Sequence, residues 1–92
     1  MEEYGVMRMQ EYGCVTLKLR QVMEERGISR NRLARLINTR YEVIDKWYKG
    51  SVEKLDLDIL ARLCFVLHCQ VGELLEYGDA PAGGQGLGAA GV

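Results

Sequence analysis

No apolar run in the sequence approaches the roughly 20 residues needed to span a bilayer, and the first ten residues, "MEEYGVMRMQ", carry neither a basic leader nor an apolar core. Membrane insertion and secretion are therefore not expected. Cysteine occurs three times, an odd number without paired spacing, which does not make a disulfide framework and points to a reducing cytoplasm. Histidine occurs once, on an apolar segment. With no nucleophile beside a base at a recognisable spacing and no phosphate-cradling glycine loop, nothing is present to assemble a reaction centre. The glycine-rich C-terminal stretch is no such loop, because no strand precedes it and no helix follows. The expectation is a protein that is not an enzyme and holds no cofactor, metal or small-molecule ligand.

Net charge is also scarce, at −1, but this sum hides an asymmetry. Between Lys18 and Lys54 lie ten Lys/Arg against five acids, a balance of +5, while the rest of the chain carries two against eight, a balance of −6. A basic face on an acidic body still attracts a polyanion locally. The densest part is "RNRLARLINTRYEVIDKWYKG", residues 30–50, where six basic side chains are threaded through apolar residues at helical spacing.

At 92 residues, 48% hydrophobic and 27% charged, the chain is one small soluble domain near the lower size limit for a single core. Its last fifteen residues, "GDAPAGGQGLGAAGV", hold six of the eleven glycines and the only proline. They bury too little apolar surface to offset their ordering entropy, so 78–92 reads as a disordered Gly/Ala-rich tail. Residues 1–16 form an N-terminal extension in which "CVTL", 14–17, alternates as a short strand would.

Between these ends the periodicity predicts five short helices. Leu19, Val22 and Met23 give a first helix over 18–26, stopped by Gly27 as a C′ glycine. Ser29 caps a second, over 29–37, with Leu33, Leu36 and Ile37 as its stripe. Asn38 tolerates the left-handed backbone of a tight turn. Val43, Ile44 and Trp47 form the inward face of a third helix, 40–49, ending at Gly50. Asp56 caps a fourth, 56–67, carried by Leu57, Leu60, Ala61, Cys64 and Leu67, and a fifth covers 71–75. Five short helices with short links give an all-α bundle.

The unit formed by 29–37, Asn38 and 40–49 has helix-turn-helix spacing. Its residues "LARLINTRYEVIDKWYKG" resemble the Cro/repressor-type family of regulators, also called the xenobiotic-response-element family. Leu33-Ala34, the turn, Ile44, Trp47 and Gly50 fall where that family has Leu-Ala, a turn glycine, a buried Ile, an aromatic and a closing Gly. The flanks "LRQVMEERGISRNRLARL" and "LDLDILARLCFVLHCQVGELLEY" resemble its other helices, so the likeness covers about 17–77. Two positions depart from the pattern: Asn38 stands where the family prefers Gly, and Tyr48 where it often has Glu.

The resemblance implies a compact, lambda-repressor-like DNA-binding domain and sequence-specific binding of double-stranded DNA by a small transcriptional regulator, a repressor, with helix 40–49 in the major groove. It places base contacts on Arg40, Tyr41, Glu42 and Lys46. Arg40 and Lys46 suit guanine O6/N7, Glu42 suits cytosine N4, and Tyr41 suits a thymine methyl or a phosphate. Arg30 falls on a phosphate-contacting position, with Asn31, Arg32, Lys49, Ser51 and Lys54 as further candidates. A lone domain covers one half-site, so a homodimer is expected, with Leu74, Leu75 and Tyr77 exposed as its surface.

Blander readings stay open beside these. Arg32 and Arg35 can simply solvate the second helix, Trp47 belongs to the core, and Glu42 and Asp45 can pair with Lys46 and Lys49 at helical spacing. At the level of function the alternative is a helix-turn-helix used as a protein-interaction module, such as an antitoxin or co-regulator, which the acids of the third helix favour. A minor alternative is a thiol or metal sensor built on Cys64, His68, Cys69 and the distant Cys14. On an apolar helix, however, free cysteines behave as small hydrophobes.

Overall fold

The computed structural model describes residues 12–79. In chain order they form a strand β1 (Cys14–Leu17), helices α1 (Leu19–Arg26), α2 (Arg30–Leu36), α3 (Tyr41–Lys49), α4 (Leu57–Leu67) and α5 (Val71–Leu74), and a strand β2 (Leu75–Gly78). β1 and β2 make a two-stranded sheet. The chain divides into two compact units: Leu17–Glu76, which holds the five helices, and a second that contains the described residues 12–16 and 77–79. Most of the expected extension and tail, 1–11 and 80–92, lies outside the described residues.

In the helical unit each boundary has a local cause. Ser29 Oγ accepts the Arg32 N–H at 3.1 Å and starts α2, and Asp56 Oδ1 accepts from Asp58 and Ile59 N–H at 2.9 and 3.3 Å and starts α4. Gly27 and Gly50, at φ +67° and +74°, close α1 and α3 in the left-handed conformation that glycine adopts without steric cost. The C-cap of α4 is a different matter. His68 is held at φ 53° there, a conformation that costs an L-residue energy.

The core is built from Leu19, Val22 and Met23 of α1, Leu33 and Ala34 of α2, Ile44 and Trp47 of α3, Ile59, Leu60, Leu63 and Leu67 of α4, and Leu74. Full burial of side chains of this size contributes about 1.5–3 kcal/mol each. Polar ties cross it at the edges. Arg26 Nε donates to the Leu67 carbonyl at 3.1 Å, Arg62 Nη1 donates to the Ile37 carbonyl at 2.9 Å, and the Lys18 N–H donates to the Leu74 carbonyl at 2.7 Å.

Four sequence expectations need correction. α4 does not turn Leu57 and Ala61 inward: its buried line is Ile59, Leu60, Leu63 and Leu67, which leaves Leu57 73% and Phe65 80% exposed. "LDILARLCFVL" is apolar on several sides, so spacing alone does not choose the face. For the same reason Leu36 is exposed while Ala34 takes the inward place on α2. The fifth helix stops at Leu74, because Leu75 already has extended backbone and enters β2. Leu74 itself is 0% exposed, so it belongs to the core and not to an exposed dimer surface.

In the smaller unit, the Gly13 N–H donates to Tyr77 Oη at 3.0 Å. A Cβ on Gly13 would run into the Gly78 carbonyl oxygen, so only glycine fits at this close approach.

Candidate nucleic-acid interface

The α2–turn–α3 unit is set by backbone bonds. Asn38 stands at φ 58°, as its turn position requires, and its N–H donates to Arg35 O at 3.1 Å; the Thr39 N–H donates to Ala34 O at 2.9 Å. The chain then resumes at Arg40, the extended N-cap of α3. Ile44 and Trp47 are buried against the other helices and Val43 is half-buried. This fixes the rotation of α3, so that Arg40, Tyr41, Glu42, Lys46 and Lys49 all face solvent.

The structure thus brings the four base-contact candidates to the exposed side of one nine-residue helix and its N-cap. Of the phosphate candidates, Asn31 and Arg32 are exposed on the first turn of α2, and Lys49, Ser51 and Lys54 at and beyond the end of α3. A groove of about 670 Å³ runs between α3 and the segment after it, with Thr39, Lys46, Ser51 and Lys54 in its wall. Ser51 is partly committed: its hydroxyl donates to the Lys46 carbonyl at 3.4 Å and its N–H donates to the same oxygen at 3.1 Å.

Arg30 is not a free cation. Its Nη1 donates to Asp45 Oδ1 at 2.6 Å, and its guanidinium lies 4.4 Å from the ring centroid of Tyr48 and 5.9 Å from that of Tyr41. Asp45 Oδ2 is 3.0 Å from Lys49 Nζ. Arg20 of α1 approaches the Tyr48 ring at 5.5 Å while bonded to Glu24 at 3.1 Å. Lys49 first, and the Arg30 guanidinium with it, hold the Asp45 carboxyl below its ordinary range against the opposing effect of its burial.

This cluster accounts for two sequence features at once. Asp45 is a tie between α2 and α3, and Tyr48, which stands where the resembled family often has Glu, is a ring stacked by cations from α1 and α2. Pairing at helical spacing holds for Asp45 with Lys49; among the described residues Glu42 has no ion pair. Only the Asp45–Lys49 spacing was visible in sequence. Nothing local marks a bond between residues fifteen positions apart, and so Tyr48 and Arg20 went unmarked as parts of the face, while Asp45 was expected to pair only along its own helix.

Cys69 is buried, with its thiol pushed up by that burial first and by Cys64 beside it, which favours the protonated form. His68 is a helix cap. Among the described residues no group of three or more His, Cys, Asp or Glu is arranged to hold a metal, and no helix is long and apolar enough to cross a membrane.

Comparison with known proteins agrees with this geometry. The fold is similar to that of a crystallised candidate DNA-binding protein from Bacteroides fragilis, at 17% identity and a TM-score of 0.62 over 68% of this chain and 100% of that one. It is also similar to that of the transcriptional regulator VanUg, at 19% identity and a TM-score of 0.60 over 80% of this chain and 97% of that one. No curated protein matches the sequence. A family model for the Cro/C1-type helix-turn-helix DNA-binding domain matches residues 18–80, which spans all five helices, and the chain accordingly belongs to the Cro/C1-type helix-turn-helix DNA-binding family.

Proposed function

We propose that residues 17–77 bind double-stranded DNA as a homodimeric repressor, with α3 in the major groove and no catalytic step. The observation that carries the reading is the division of α3, in which burial of Ile44 and Trp47 leaves Arg40, Tyr41, Glu42 and Lys46 together on the solvent side. In the groove Arg40 and Lys46 donate to guanine O6/N7, Glu42 accepts from cytosine N4, and Tyr41 meets a thymine methyl or a phosphate. Arg30, Asn31 and Arg32 grip the backbone from the start of α2, and Lys49, Ser51 and Lys54 from the end of α3 and the segment after it, with Arg30 and Lys49 meeting at Asp45. Repression then needs only steric occlusion of a promoter by the bound domain.

One α3 covers one half-site, so useful affinity calls for two copies on a pseudo-palindrome. With Leu74 in the core, the expected 74–77 surface is left with the exposed Tyr77 and the half-buried Leu75 to meet that second copy. The acids on α3 that spoke for a protein-interaction module weigh less once Asp45 is occupied in joining α2 to α3.

Selection from a random duplex pool tests the reading. An enriched palindromic site is expected, bound with log Kobs falling linearly against log salt. The four cations Arg30, Arg32, Lys49 and Lys54 set a slope of about −3.6 per protomer, doubled in a dimer. No enrichment, or a flat salt dependence, overturns it. Light scattering that returned one chain's mass with and without the selected duplex would remove the homodimer.

A further inference from the structure

Asp45 presents a problem for a DNA-binding face. A carboxylate near the phosphate backbone weakens the sequence-independent attraction that supplies most of the affinity. Yet this one is only 21% exposed on its side chain, and each of its oxygens takes a cation: Arg30 at 2.6 Å and Lys49 at 3.0 Å. The three together keep one net positive charge. Arg30 is further restrained by the Tyr48 ring beneath it at 4.4 Å, and Tyr48 is flanked on α1 by Arg20 at 5.5 Å.

The long side chains of Arg and Lys lose much rotamer freedom when they grip a phosphate. Here that freedom is already restricted in the unbound protein. Asp45 bonds Nη1 of Arg30 and leaves the other guanidinium N–H groups to meet an anion. We propose that Asp45 is a positioning residue that sets specificity: by holding Arg30 and Lys49, with Tyr48 beneath Arg30, it fixes the two phosphate grips in the one register that brings Arg40 and Lys46 to base edges. It improves discrimination while weakening general attraction to DNA. Tyr48 acts with it as the platform.

The inference rests on the DNA-binding reading above, and its test separates the two. Affinities of the wild type, Asp45→Asn, Tyr48→Leu and Tyr48→Phe are measured by fluorescence anisotropy for the selected duplex and for a scrambled one, over a range of salt. Asp45→Asn is expected to bind the scrambled duplex as tightly as the wild type or more so, because a repelling charge has gone. It is expected to bind the selected duplex about tenfold more weakly, the discrimination of roughly one good base contact. Tyr48→Leu loses discrimination in the same sense, and Tyr48→Phe, which keeps the ring face, retains it.

A merely structural role would lower both affinities together, in proportion to the folded fraction read from Trp47 fluorescence in urea. That result, or an unchanged ratio in Asp45→Asn, overturns the inference and leaves the DNA-binding reading standing. A wild type that binds neither duplex in a salt-dependent way overturns both.

Discussion

Replacing His68 by glycine should stabilise the protein, although it removes the histidine beside Cys69 and one helical turn from Cys64. His68 is exposed, caps α4 at φ 53° and ψ 53°, and contributes through its backbone N–H, which donates to the Cys64 carbonyl. Glycine keeps that bond. It also removes the clash of Cβ with its own backbone, which costs an L-residue about 1–2 kcal/mol in the left-handed region. Against this, glycine raises the entropy of the unfolded chain by about 0.4–1 kcal/mol. The difference leaves His68→Gly more stable by about 0.5–1 kcal/mol, a rise in Tm of roughly 2–8 °C for a domain of this size. Urea unfolding followed by the single, buried Trp47 reads this as a higher midpoint at constant slope. His68→Val, β-branched in the same conformation, should lose stability. A lower midpoint for His68→Gly would refute the reasoning and give the imidazole a bonded role.

Removing the Asp56 cap by Asp56→Ala frees two α4 N–H groups and should cost about 0.5–2 kcal/mol, visible in the same urea titration. Because the Asp45 carboxyl is held below its ordinary value of 3.8, its contribution to stability is fully present above that pH and is lost as pH falls through the lowered value. Acid unfolding of Asp45→Asn should therefore show a shallower pH dependence below pH 3.8 than the wild type, and superimposable slopes would contradict this. Cys69, whose thiol is pushed up by burial, should react with iodoacetamide far more slowly in the native protein than in urea, as read by peptide mass spectrometry. Equal rates would place it at the surface.

The parts of this fold that depend on neighbours within four residues were legible in the sequence. Ser29 and Asp56 act as caps, Gly27 and Gly50 as stops and Asn38 as a left-handed turn, because each function is local chemistry of one side chain and its own backbone. The inward faces of α1 and α3 were legible as well, since polar residues surround their apolar lines. α4 was not: apolar residues on several sides give no face preference, and the choice of Ile59 and Leu63 over Leu57 and Ala61 is made by the helices packed on it. The end of α5 was misplaced by one residue because β2 competes for Leu75 through pairing with a strand some sixty residues away. In the candidate interface, the exposed side of α3 followed from Ile44 and Trp47. The tie between Arg30 and Asp45 did not, for it exists only once α2 and α3 have docked.

The central claim is that the exposed side of α3 reads bases, and the most direct measurement is the affinity of Arg40→Ala and Lys46→Ala for the selected and the scrambled duplex at one salt concentration, beside their urea midpoints. Each variant should bind the selected duplex weaker by about 1–3 kcal/mol, roughly five- to 150-fold, with a far smaller change on the scrambled duplex. Their midpoints should match the wild type, because both side chains are exposed. Wild-type affinity of both variants for the selected duplex would contradict the claim.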